Sequence, residues 1–237
     1  MLYNRSSETN WKVLGLRERL LRRIVSRLYT SGVIDSSQNV IEAGLAAGDN
    51  ALPWASLLMS MRKPGAPAGT VFGIDPMVRN CVNTLRLARV NALPNVCVLR
   101  GALSNANGTV RVKQRRYRRQ TAFAPTVTLD SLPMLTNVGL LHLDVEGYEE
   151  RTLQAAQQLV KTSMPFILTE RHDGDKFDDD LLLRHGYTVV TIPEVCGPNL
   201  SCRNRLWLPR QQRARAMAAI QPILDLPLQP EYIQNRR

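Results

Sequence analysis

The chain predicts an α/β domain: a seven-stranded, mostly parallel sheet with helices on both faces. From Val40 onward, short apolar runs alternate with helical stretches. That alternation is what a parallel sheet covered by helices requires. The clearest run, Leu140–Leu143, passes straight into Asp144-Val-Glu146-Gly147 and then a helical pattern. It reads as a buried strand ending in carboxylates at a helix N-terminus.

Residues 11–29 read as an amphipathic helix, with Trp11, Leu14, Leu21, Ile24, Val25 and Leu28 near helical spacing. Its Arg-rich side suits packing against the domain or resting on a membrane surface. Strands are expected at 39–42, 70–74 and 96–99, with helices at about 50–61 and 77–91 between them. Asn107-Gly108 predicts a hairpin turn. A fourth parallel strand covers 140–144, one helix runs from Tyr148 to about Val160, and a fifth strand covers 165–169. Residues 178–185 look helical, 187–192 form a sixth strand and 205–208 a seventh. The organisation expected is a basic helical extension over 1–37, a domain over 38–209 with an Arg-rich hairpin insert at 108–125, and a basic tail over 210–237.

The 237 residues suffice for a substantial core, and 44% hydrophobic with 22% charged residues is a globular composition. No apolar run reaches the roughly 20 residues that span a bilayer. The four cysteines, Cys81, Cys97, Cys196 and Cys202, lack CxxC spacing, so reduced thiols are expected. A cytoplasmic location follows; the Arg-rich N-terminus leaves organelle import open, with Glu8 and Glu18 weighing against it. The net charge of +11 is concentrated in residues 1–37, 111–119 and 203–237, which attract polyanions.

Glu42, Ala43, Gly44 and Gly48 follow the first strand and open a helix. Glycines there let a ligand approach the backbone, and the helix N-terminus offers free N–H groups. The GxGxxG fingerprint is absent, which argues against a dehydrogenase. Asp75-Pro76 ends the second strand; its carboxylate suits a ribose, an N-cap, or both. In this order, Glu42, the glycines and Asp75 fit an adenosine carrying an amino-acid tail: S-adenosylmethionine.

These residues bring the chain to a pattern it resembles, the FkbM-like family of S-adenosylmethionine-dependent methyltransferases. The stretches that carry it are Val40–Gly44, Phe72–Pro76, Asn91–Val96, Gly101–Ser104 with Gly108, Val127–Leu132, Leu141–Gly147, Pro165–Glu170 and Asn204–Pro209. The resemblance implies a class I, Rossmann-like fold with its last strand antiparallel. It implies methyl transfer to hydroxyls of sugars, glycans or natural products. It also implies that Glu42, Gly44 and Gly48 surround the methionine moiety, that Asp75 meets the ribose and Gly101-Ala102 the adenine, and that Asp144 lies near the transferred methyl. The chain departs from the family at Glu42 (Asp), Ala46 (Asn) and His142 (Lys).

Transfer from a sulfonium needs positioning, and an alcohol acceptor must lose its proton. His142 and Asp144 leave one face of a strand; Glu170 and His172 follow the next strand. Two arrangements serve: His142 or His172 as base, or Asp144, Glu170 and His172 holding Mg²⁺. A hydrogen-bonded core histidine is the other reading of His142. Glu149 and Glu150 read as solvated first-turn acids. Arg115, Arg116, Arg118 and Arg119 are expected to overhang the cleft and recruit an anionic acceptor such as a nucleotide sugar, phosphorylated glycan or RNA. The alternatives are an RNA methyltransferase and a catalytically silent, basic binding subunit of the same fold.

Overall fold

A computed structural model describes residues 19–113, 121–170, 177–197 and 200–226, without the side chains of 19, 113, 121–122 and 193–203. The elements, in order, are α1 Arg19–Thr30, β1 Asn39–Ala43, α2 Ala51–Met61, β2 Val71–Asp75, α3 Val78–Val90, β3 Val96–Arg100, β4 Ala102–Leu103, β5 Gly108–Lys113, β6 Thr121–Val127, β7 Val138–Leu143, α4 Glu149–Gln154, α5 Gln157–Ser163, β8 Phe166–Thr169, α6 Asp180–Leu183, β9 Tyr187–Gly197, β10 Leu200–Pro209 and α7 Arg213–Leu224.

Seven strands form one sheet in the order β3-β2-β1-β7-β8-β10-β9. Neighbouring strands from β3 to β8 pair in parallel, and β10 runs antiparallel to β8 and β9. The near-continuous apolar strands follow from two covered faces. Val40, Leu140 and Leu168 point into a core with Leu21, Ile24 and Leu28 of α1, Trp54 and Leu58 of α2, and Ile220 of α7. Ile41 and Leu141, one residue on, and Ile167, one residue before Leu168, point into a second core with Leu153, Leu159, Leu182 and Trp207. The apolar side of α1 is therefore interior: Leu21, Ile24, Val25 and Leu28 are fully buried. Trp11 and Leu14 lie outside the described residues.

Four expectations are corrected. Asn107-Gly108 is not a hairpin turn. β4, β6 and β5 form a separate sheet in that order, so β5 pairs with β6 across residues 114–120, which lie outside the described segments. The single helix expected over 148–160 is two, because the carboxylate of Asp130 accepts from the N–H groups of Gln158 and Leu159, both at 2.9 Å, and starts a new helix there. Glu149 is buried, and its carboxylate accepts from the N–H of Val145 at 3.0 Å. Lastly, β9 and β10 run well past the expected strands as one long antiparallel ladder.

Candidate active site

The chain leaves β1 toward β2 on one side and returns to β7 on the other, so the topological switch point lies between β1 and β7. In open α/β sheets ligands bind outside the carboxyl ends of strands at such a point. Backbone hydrogen bonds stitch that rim together. The N–H of Gly101 donates to Asp75 O at 3.1 Å, that of Gly44 to Ile74 O at 2.9 Å, that of Asp144 to Ala43 O at 2.9 Å, and that of Glu170 to Leu143 O at 3.1 Å. Residues expected from separate stretches are thus side by side: Gly101 and Ala102, Asp75 and Pro76, Ala43 and Gly44, Asp144, Glu170.

Gly44 is the tightest point of the rim. Its φ is +95°, and a Cβ there would lie 2.0 Å from the carbonyl oxygen of Asp144. Only glycine reconciles that conformation with that contact. Ala46, in the same turn, has φ +44°, which an alanine adopts at a cost.

Glu42 and His142 are register partners on β1 and β7. Both are buried, and His142 Nδ1 lies 2.7 Å from Glu42 Oε2. Trp54 of α2 meets the His142 ring edge-on, with centroids 5.5 Å apart. His142 is wholly enclosed in this structure, and one oxygen of Glu42 is turned to it. The departures at Glu42 and His142 are one feature, because the two side chains hold each other.

Asp75 is also committed. Oδ2 accepts from Leu45 N–H and from Asn80 Nδ2, each at 3.0 Å, and Oδ1 accepts from Met77 N–H at 2.7 Å. Burial raises its pKa, and these hydrogen bonds partly oppose the rise. The carboxylate clasps the turn after β1 to the start of α3; the N-cap of that helix is Met77, so Asp75 holds the approach to it through an Asx turn and is not itself the cap. Most acceptor positions a ribose would use are occupied. Asn80, bonded to Asp75, and Trp54, against His142, are neighbours of the predicted site residues that sequence reasoning missed; the place of Asn80 in the first turn of α3 was the available signal for the first.

Asp144 and Glu170 end adjacent strands and are both partly exposed. His172 lies outside the described residues, as do Arg115, Arg116, Arg118 and Arg119. Among the described residues no group of three His, Cys, Asp or Glu side chains stands together as a metal site. A separate groove of about 480 Å³, lined by Leu129, Leu132, Asn137 and Thr162 among others, lies at the opposite end of β7 from this rim. Among the described residues no helix is long and apolar enough to cross a membrane.

No sequence among curated proteins matches the chain. Among solved structures, the methyltransferase FkbM of Methylobacillus flagellatus KT is similar at 15% identity and TM-score 0.51, over 84% of this chain and 50% of that one. The present chain thus spans half the length of that protein. The precorrin-6y C5,15-methyltransferase of Geobacter metallireducens GS-15 is similar at 12% identity and TM-score 0.52, over 81% of this chain and 89% of that one. The shared architecture is the class I methyltransferase sheet. Residues 39–189 match the model of the methyltransferase FkbM domain, more than half of the sequence, and the chain belongs to that family.

Proposed function

We propose that the chain is an S-adenosylmethionine-dependent O-methyltransferase acting on a hydroxyl of a glycan, nucleotide sugar or other small hydroxylated acceptor. The rim at the switch point carries the reading: Gly44, Asp75, Gly101 and Asp144 stand side by side where β1, β2, β3 and β7 end, the place at which open α/β sheets bind ligands. The residues present fit the cofactor unevenly. Gly44, Gly48 and the N-terminus of α2 suit the methionine end, and Gly101-Ala102 lies beside Asp75 as an adenine wall would. The ribose contact falls to whatever acceptor capacity remains on Asp75.

Bound there, the cofactor supplies an electrophilic methyl on sulfur. The chain's residues orient the acceptor in line with it and take the hydroxyl proton. Asp144 and Glu170, neighbours at the ends of β7 and β8, are the described carboxylates placed for that proton. His172 is a further base or ligand under this reading. Arg115, Arg116, Arg118 and Arg119 serve an anionic acceptor.

The commitment of Glu42 and Asp75 to internal partners favours a second reading, a silent methyltransferase fold used as a basic binding subunit. Incubation with methyl-labelled S-adenosylmethionine and separate glycan, nucleotide-sugar and RNA fractions tests the proposal. Label in a hydroxylated small acceptor supports it. Label confined to RNA replaces it with RNA methylation, and no transfer to any fraction leaves the silent subunit.

A further inference from the structure

Four of the most exposed large apolar side chains among the described residues sit on one helix. Val78, Val82, Leu85 and Val90 of α3 are 51%, 55%, 46% and 54% exposed. Val78, Val82 and Leu85 follow an i, i+4, i+7 spacing and so form a line along the helix. At about 100° per residue, Arg89 falls on that line, and Arg79 and Arg86 lie beside it. All three arginines are exposed, and α3 contains no acidic residue. Cys81, Thr84 and Ala88, about a quarter turn around the helix from that line, pack inward. An apolar line interleaved with cations on an outward face is not what a merely solvated helix needs.

We propose that this face of α3 docks on an anionic lipid surface. The aliphatic side chains enter the headgroup boundary, and the arginines pair with lipid phosphates or carboxylates. Charge decides the occupant. A second copy of the same face would bring arginines against arginines. Nucleic acid would use the cations but gain little from valine and leucine, which offer bases no stacking surface. The surface-helix role that the sequence offered to the N-terminal segment thus moves to α3, since α1 buries its apolar side. The inference holds whether or not the rim binds a cofactor.

The test is co-sedimentation of the full chain with phosphatidylcholine vesicles and with vesicles containing phosphatidylserine, at low and physiological salt. The protein should sediment with the anionic vesicles, less so as salt rises, and not with phosphatidylcholine alone. Replacing Arg79, Arg86 and Arg89 by Gln should weaken partitioning by about fivefold each, on the order of 100-fold together. The pair Val82→Ser and Leu85→Ser should also weaken it with charge unchanged. Circular dichroism and melting of both variants should match wild type, since every substituted side chain is exposed. Absence of binding to anionic vesicles overturns the proposal. So does binding that either variant set leaves intact, or tighter binding to RNA that the serine changes do not touch.

Discussion

Gly44→Ala probes the rim where the structure is least forgiving. Two costs add. The alanine must hold φ +95°, a region that costs an L-residue about 1–2 kcal/mol. Its Cβ would also lie 2.0 Å from the carbonyl oxygen of Asp144, so the turn after β1 or the end of β7 must move. Gly147 isolates the first cost, because its φ is +92° but a Cβ there would meet nothing within 4 Å. Gly147→Ala should therefore lower stability by about 1–2 kcal/mol, or roughly 2–8 °C in Tm for a chain of this size. Gly44→Ala should lose more than that, and should lose cofactor binding even where it stays folded. Thermal and urea unfolding of both variants supply the comparison. Equal losses would refute the steric contact, and with it the close approach of β1 and β7 at the proposed site.

His142→Ala strands the buried Glu42 carboxylate without its 2.7 Å partner and should cost about 3–5 kcal/mol in urea unfolding; a loss below about 1 kcal/mol would contradict the pairing. Asp75 has a folded-state pKa above its ordinary 3.8, so its charged form penalises folding above the folded pKa, and the penalty fades as pH falls toward the unfolded value. The stability advantage of wild type over Asp75→Asn should accordingly grow as pH falls through that window; an advantage that shrinks there would reverse the sign of the assignment. Asp130→Ala removes the acceptor of two N–H bonds that starts α5 and should cost about 0.5–2 kcal/mol, read as a lower urea midpoint with unchanged slope.

The layered sheet was legible because it is written in short-range pattern. Val40/Ile41 and Leu140/Leu141 are apolar in succession, and each consecutive pair feeds two different cores. The rim was legible for the same reason: Gly44, Asp75, Gly101, Asp144 and Glu170 each follow an apolar run, and strand ends in a parallel sheet come together. What escaped was decided by tertiary partners. The break between α4 and α5 is imposed by Asp130 from a distant turn, which helical periodicity over 148–160 does not encode. The contact of His142 with Glu42 turned on which residue faces it across β1 and β7, a matter of register. Sequence placed Asp75 at the rim but did not reveal that Leu45, Met77 and Asn80 consume its oxygens.

Isothermal titration of the folded full-length chain with S-adenosylmethionine tests the central claim most directly. One site with sub-millimolar affinity is expected in wild type, with no heat from Gly44→Ala. A flat titration of folded wild type at millimolar ligand would contradict the account and leave the methyltransferase fold as a scaffold.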